Sequence, residues 1–211
     1  MHWTLPNLLT VGRLVAAPTV AAVFLVLPRP LADWIALTVF VLSALTDFLD
    51  GYLARLWKQE SRFGRMLDPI ADKAMVVIAL TVLTALTGLD MLVTVPAVVI
   101  MFREILVSGL REFMGDRSKT LGVTALARWK TTVQMVAIAV FFLATGLEQV
   151  PDVNFVAKPV GLVLLWLAAA ITLVTGWDYL TRALEDSPGP NVQQSPRSEP
   201  RPREPGVDGG A

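Results

Sequence analysis

Four aspartates lie close together in a chain that is otherwise strongly apolar, and they are the residues best suited to chemistry. Asp47, Asp50, Asp68 and Asp72 fall within 26 residues, and long hydrophobic runs flank them on both sides. Ionisable groups beside membrane-length apolar segments are rare unless they pair, face water or bind something. We therefore interpret the four carboxylates as a functional site.

The spacing of the aspartates predicts how they are held. Asp47 and Asp50 are three residues apart and Asp68 and Asp72 are four apart, so each pair lies on one face of its own helix. We expect these two helices to run antiparallel, with the four carboxylates converging between them.

A turn is expected between the two aspartate helices. Gly51 and Gly64 mark it, with the polar residues 58–62 between them. Pro69 suits the first turn of the second helix, where its missing N–H has no intrahelical partner to lose. This turn is expected to bring the second helix back beside the first.

A bound cation is the expected partner of the four carboxylates. Like charges this close repel and raise one another's pKa, and a cation keeps them ionised. The chain has no cysteine and its one histidine is His2, so the available ligands are oxygens, which favour Mg²⁺ or Mn²⁺ over zinc. Carboxylates with nearby basic residues are what a metal-bridged diphosphate needs.

The same residues form a family motif. The string D-x-x-D-G-x-x-A-R-x8-G-x-x-x-D-x-x-x-D is met without departure by Asp47, Asp50, Gly51, Ala54, Arg55, Gly64, Asp68 and Asp72. It resembles the signature of the CDP-alcohol phosphatidyltransferases, and the resemblance covers about residues 5–180. It implies a six-helix membrane bundle, commonly a homodimer, that transfers a phosphatidyl group from a CDP-linked lipid to an alcohol and releases CMP.

The resemblance also implies roles for individual residues. Asp47, Asp50, Asp68 and Asp72 would hold two divalent cations, Mg²⁺ or Mn²⁺, and Asp72 would be the general base that takes the proton of the acceptor hydroxyl. The residues implied to bind the lipid donor, CDP-diacylglycerol, are Asn7, Thr10, Arg13, Gly51, Ala54, Arg55, Ser61 and Gly64.

Three basic residues later in the chain are candidates for binding the acceptor. Arg103 and Arg111 lie on one side of a helix in FREILVSGLRE, and Lys130 opens the span in WKTTVQM. Three cations suit an acceptor with its own phosphate, and these strings resemble family members that use sn-glycerol 3-phosphate. The alternative is that they are snorkelling residues at the ends of spans. Ser108 and Thr131 are expected to be helix-packing hydroxyls.

Composition predicts the elements that position these residues. With 54% hydrophobic residues and a mean hydropathy of +0.58, the chain is typical of an integral membrane protein. We predict an all-α membrane bundle, residues 1–182, with an N-terminal amphipathic segment and a disordered proline-rich tail, residues 183–211. The six spans are expected at about 11–27, 31–49, 69–86, 91–114, 130–147 and 156–177.

The basic residues predict the orientation in the membrane. The loops after the second and fourth spans are richer in Lys and Arg than the loops on the other side, which offer Arg29 and Lys158. By the positive-inside rule, both termini and the aspartates face the cytoplasm. A short chain without a targeting presequence favours a bacterial inner membrane.

Two alternatives remain open from the sequence. Another member of the family could use a different acceptor, such as inositol phosphate, serine, or phosphatidylglycerol in cardiolipin synthesis. A cation-binding transporter would belong to a different class. The sequence disfavours a transporter, because it has no internal repeat and its carboxylates gather at one membrane face.

Overall fold

Six helices make up the part of the chain that the computed structural model describes, residues 5–57, 62–115 and 125–185. They are α1 (Leu5–Val26), α2 (Leu31–Trp57), α3 (Arg62–Leu86), α4 (Met91–Met114), α5 (Ala125–Gly146) and α6 (Pro151–Glu185). The predicted all-α bundle is confirmed. The aspartates lie toward one end of it, called the aspartate end below, and Arg29 lies in the α1–α2 turn at the opposite end.

The helices have the length and surface of membrane spans. Within the described residues, α1, α3, α4, α5 and α6 are long and apolar enough to cross a membrane. The remaining helix, α2, has 27 residues and carries three aspartates. Large apolar side chains point outward, with Leu25, Phe113 and Phe155 each more than 80% exposed. Such a surface is suited to lipid, so the protein is a multi-pass membrane protein.

The core lies where the six helices meet. Phe40 of α2 and Phe142 of α5 are fully buried, and their ring centroids are 6.0 Å apart. Leu80 and Ile138 are also fully buried in the same cluster. The most extensive contacts join α5 with α6 and α1 with both α2 and α3, and α4 also packs against α6. This packing fixes the ends of α1, α3, α4 and α5 that carry the polar residues.

The expected direct pairing of α2 with α3 is wrong for the described residues. These two helices make few close contacts with each other there, whereas α1 packs closely against both. The physical reason lies on α1, where Asn7, Thr10 and Arg13 form one buried polar face. Buried polar groups need hydrogen-bond partners, and the aspartates of α2 and α3 supply them to Thr10 and Arg13.

The turn between α2 and α3 is shorter than predicted. Gly51 and Gly64 lie inside α2 and α3, and the remaining turn residues, 58–61, are outside the described part of the chain. Pro69 lies seven residues after the start of α3 and is not in its first turn. Polar residues at a helix end show no apolar periodicity. The start of α3 was therefore predicted too late in the sequence.

Other boundaries moved outward in the same way. α1 begins at Leu5, so the expected amphipathic segment and the span expected from about Val11 form one continuous helix. α5 begins at Ala125 and α6 extends from Pro151 to Glu185, both beyond the predicted spans. Residues 186–211 of the predicted tail are outside the described part of the chain.

Candidate active site

Arg13 of α1 contacts three of the four aspartates that were predicted to bind metal. Its guanidinium is paired with Asp47 of α2 and Asp72 of α3, and its Nη2 lies 3.3 Å from Oδ1 of Asp68. The arginine side chain is only 4% exposed, whereas the three carboxylates are each about two-fifths exposed. The carboxylates therefore converge, as the spacing predicted, but around a side chain from α1.

A second side chain of α1 reaches the same carboxylates. The hydroxyl of Thr10 donates a hydrogen bond to Oδ1 of Asp68 over 2.6 Å. Asn7, Thr10 and Arg13 follow one another at three-residue spacing, so they share a face of the helix, and all three are buried. The CDP-lipid role predicted for these three residues stays a prediction, but two of them contact the aspartates directly.

The aspartates offer only part of what a metal site needs. Within residues 5–57, 62–115 and 125–185, no three acidic or histidine side chains are arranged to hold one metal ion. The three described aspartates nevertheless share one positive charge, that of Arg13, and all of their donor atoms are oxygens. This oxygen set fits a hard divalent cation. The side chain of Asp50 is outside the described residues.

A cavity of about 360 Å³ opens beside the aspartates, between α3, α4 and α5. Its charged lining residues are Asp68, Asp72, Lys73, Arg103, Glu104, Arg111 and Lys130. Asp68 and Asp72 line it from α3, and Arg103, Arg111 and Lys130 line it from α4 and α5. The volume is at the small end of ligand pockets, which suits a compact anion.

Glu104 holds two of the cavity cations in place. Lys130 of α5 is 5% exposed and its Nζ donates to Oε1 of Glu104 on α4. Nη1 of Arg103 lies 3.7 Å from the same oxygen, and its Nη2 donates to the Thr175 hydroxyl over 3.3 Å. Arg103 and Lys130 are thus buried and oriented by partners, unlike snorkelling residues that extend into water.

The other two cations are also positioned by neighbours. Arg111 stacks on the ring of Tyr179 of α6, with 5.4 Å from the guanidinium carbon to the ring centroid. Nζ of Lys73 donates to the hydroxyl of Ser108. Ser108 was expected to be a helix-packing hydroxyl. It also lines the cavity and orients a cation there.

The remaining predicted residues are less fully described. Gly64 is buried in α3. Gly51, Ala54 and Arg55 lie in α2 with their side-chain surroundings outside the described part, and Ser61 is wholly outside it. Sequence reasoning overlooked Gln134, which lines the cavity and is 2% exposed. Its spacing of four residues from Lys130 could have indicated it.

Comparison with known protein families shows to which family the chain belongs. The family described as CDP-alcohol phosphatidyltransferase matches residues 3–174, most of the chain. The chain belongs to this family. The sequence resemblance is thereby confirmed, and the protein is a CDP-alcohol phosphatidyltransferase.

Several bacterial proteins are similar over nearly their whole length. A Cereibacter sphaeroides protein named CDP-diacylglycerol--glycerol-3-phosphate 3-phosphatidyltransferase is 52% identical over 214 residues, which cover 87% of this chain and 97% of that relative. Proteins with the same name from Rickettsia bellii and Haemophilus influenzae are both 38% identical, over 175 and 183 residues. These alignments cover 83% and 85% of this chain, and 92% and 93% of the relatives.

Proposed function

We propose that this phosphatidyltransferase transfers a phosphatidyl group from CDP-diacylglycerol to sn-glycerol 3-phosphate, giving phosphatidylglycerophosphate and CMP. The observation that carries the proposal is the cavity in which Asp68 and Asp72 lie beside Arg103, Arg111 and Lys130. An acceptor with a hydroxyl to be activated and a phosphate to be held needs both kinds of group in one small space. The names of the similar proteins support the same substrates.

Asp47, Asp50, Asp68 and Asp72 would hold two divalent cations, Mg²⁺ or Mn²⁺. The convergence of three of these carboxylates on Arg13 supports this, because one guanidinium neutralises only one of the three negative charges. When bound, such cations neutralise a diphosphate and polarise the phosphorus that is attacked. That the metal is Mg²⁺ or Mn²⁺ is part of this proposal.

Different residues of the chain bind the lipid donor and the acceptor. The donor headgroup binds near Arg13 and Thr10 of α1 and the motif residues of α2, with Arg55 pairing with phosphate oxygens. Arg103, Arg111 and Lys130 hold the acceptor phosphate at the other side of the cavity. This leaves the acceptor hydroxyl next to Asp72.

The reaction is a direct displacement at phosphorus. The Asp72 carboxylate takes the proton of the acceptor hydroxyl, a bond forms from that oxygen to the phosphorus of the diacylglycerol phosphate, and the bond to the CMP oxygen breaks. In-line attack inverts the configuration at phosphorus. The motif offers no separate nucleophile, which favours one step over a covalent intermediate.

The proposed setting is a bacterial inner membrane, with both termini and the aspartate end in the cytoplasm. The basic residues near that end support this orientation through the positive-inside rule. CDP-diacylglycerol would enter from the lipid side of the bundle and the water-soluble acceptor from the cytoplasm. A homodimer is proposed from the family resemblance.

Purified protein tests the function directly. It would be mixed with CDP-diacylglycerol, Mg²⁺ or Mn²⁺, and one acceptor at a time: glycerol 3-phosphate, inositol phosphate, serine or phosphatidylglycerol. We expect CMP release with glycerol 3-phosphate, and loss of that release with Asp72→Asn, while CDP-lipid binding is largely kept. Release with another acceptor only would overturn the proposed substrate, and no release with any acceptor would overturn the proposed activity.

A further inference from the structure

Gln134 is a buried polar residue in the cavity with a hydrogen-bonding capacity that the fold leaves unused. It lies on α5, one helical turn deeper in the bundle than Lys130, and its side chain is 2% exposed. Both residues line the cavity. Among the residues that the structure describes, no donor reaches the buried amide oxygen of Gln134.

Such a group is unusual in a folded protein. Most buried polar side-chain atoms have a hydrogen-bond partner, and an unsatisfied one costs about 1–3 kcal/mol. A buried amide oxygen without a protein donor is expected where a ligand supplies the missing partner. Because the two ends of the amide have nearly the same shape, the group can present either its oxygen or its NH₂ to that ligand.

Ser108 and Glu104, two neighbouring polar residues of the cavity, are already engaged. Ser108 accepts a hydrogen bond from Lys73, and Glu104 accepts one from Lys130. Thr131 lines the cavity but is exposed, so water can satisfy it. Gln134 is therefore the buried neutral group best placed to recognise a neutral part of the acceptor.

We propose that Gln134 is a specificity-determining residue that hydrogen-bonds the secondary hydroxyl of the glycerol acceptor. This inference rests on the proposed function. In sn-glycerol 3-phosphate, the cations take the phosphate and the less hindered primary hydroxyl attacks, which leaves the secondary hydroxyl between them. A hydroxyl both donates and accepts hydrogen bonds, and a primary amide does the same.

The test compares two acceptors that differ only in that hydroxyl. 3-Hydroxypropyl phosphate keeps the phosphate and the primary hydroxyl of glycerol 3-phosphate but lacks the secondary one. The value of kcat/KM is measured for both with the wild type, with Gln134→Met and with Gln134→Asn. Methionine has nearly the shape of glutamine but no amide. Asparagine keeps the amide but is shorter by one methylene, so the amide lies farther from the ligand.

The control variant is Thr84→Val. Thr84 is a buried polar residue of α3, 8% exposed, and its hydroxyl donates to the Leu80 carbonyl. It does not line the cavity. Its substitution removes a buried polar group of the bundle without changing the acceptor site, so the preference between the two acceptors should stay at the wild-type value.

We expect the wild type to prefer glycerol 3-phosphate by roughly 100-fold or more, because a site built to bond a hydroxyl rejects an analogue that lacks it. Gln134→Met should reduce this ratio to within about threefold of unity, mainly by losing activity with glycerol 3-phosphate. Gln134→Asn should lower it in the same direction. The ratio does not depend on how much of a preparation is folded, so a destabilised variant still gives a result.

Two results would overturn the inference. Equal losses with both acceptors would mean that Gln134 contacts the phosphate or only supports the fold, and an unchanged ratio would mean that it does not touch the secondary hydroxyl. If the wild type released no CMP with glycerol 3-phosphate, the proposed function would fail instead. The two failures are thus distinguished by the wild-type measurement.

Discussion

A β-carbon added to Gly176 of α6 would lie 2.8 Å from Cγ of Arg103 on α4, and 3.3 Å from its Nε. Cγ is near the backbone end of the arginine side chain, so the contact could be relieved only by moving the whole side chain. The absence of a side chain at position 176 therefore lets α6 cover the stem of Arg103 while the guanidinium stays at the cavity.

Gly176→Ala should weaken binding of the acceptor by displacing Arg103. We expect the KM for the acceptor to rise roughly tenfold, equivalent to about 1.4 kcal/mol, with little change in the KM for the lipid donor. Steady-state kinetics with each substrate varied in turn would measure both. Gly109→Ala is the matched control, because a β-carbon there meets nothing within 4 Å. Identical kinetics for the two alanine variants would contradict the steric role.

The buried pair of Lys130 and Glu104 should be coupled in stability but not in activity. Their side chains are 6% and 14% exposed, so Lys130→Met removes the hydrogen-bond partner of a poorly hydrated carboxylate, with Arg103 still 3.7 Å away, and should cost on the order of 3 kcal/mol. The double variant Lys130→Met/Glu104→Leu should regain much of that stability, yet keep the low activity of Lys130→Met because the acceptor phosphate loses one of its three cations. Thermal unfolding in detergent and CMP release would test this. A double variant no more stable than Lys130→Met would rule out the coupling.

The local features of the site could be predicted from the sequence, because they depend on helical spacing. The intervals within the pairs Asp47/Asp50 and Asp68/Asp72 predicted that each pair lies on one face of its helix. The structure brings Asp47, Asp68 and Asp72 to one guanidinium. The apolar runs similarly predicted the number of helices. Both inferences need only the geometry of a single helix or the thickness of a bilayer.

The arrangement of helices could not be predicted in the same way. The insertion of α1 against both α2 and α3 depends on which buried faces fit together, and apolar helix faces look alike in sequence. The same limit applies to Glu104 and Gln134. A polar residue on a helix does not indicate which neighbouring helix it meets, so the cavity between α3, α4 and α5 became evident only from the packing.

A second ion pair, at the end of the bundle opposite the aspartates, is expected to stabilise the fold without affecting catalysis. Nε of Arg29 donates to Oδ2 of Asp33 over 2.9 Å, and its Nη2 lies 3.0 Å from Glu148. Asp33 is fully buried, whereas Glu148 is 61% exposed. The hydrogen bond to Asp33 raises the pKa of Arg29, so this contribution is present below its ordinary pKa and does not vary between pH 5 and pH 9.

Arg29→Gln should therefore destabilise the protein much more than Glu148→Gln. Loss of Arg29 leaves the buried carboxylate of Asp33 without its ion-pair partner and should lower the free energy of unfolding by on the order of 3 kcal/mol. Loss of the exposed partner Glu148 should cost less than about 1 kcal/mol. Unfolding midpoints at pH 7 would measure the difference, and CMP release per folded molecule should be unchanged in both. Equal midpoints for the two variants would show that the buried pair is not the stabilising one.

Gly161 is expected to set the distance between α5 and α6. A β-carbon there would lie 3.1 Å from Cδ2 and 3.3 Å from Cα of Phe141, and the backbone atom cannot rotate away. Gly161→Ala should lower the free energy of unfolding by about 1–3 kcal/mol, despite the better helix propensity of alanine. Gly12→Ala, where a β-carbon meets nothing within 4 Å, should be neutral or stabilising. Equal unfolding midpoints for the two variants would contradict this role.

Arg13 should compete with divalent cations for the aspartates. Because its guanidinium contacts Asp47, Asp68 and Asp72, Arg13→Ala removes the charge that these carboxylates share and should lower the unfolding midpoint in EDTA. Added Mn²⁺ should then raise the midpoint of this variant more than that of the wild type, since a ligand that binds the folded state stabilises it according to its affinity. Arg13→Lys, which keeps a charge, should fall between them. Equal Mn²⁺-induced shifts in all three proteins would mean that the cation does not bind where the guanidinium lies.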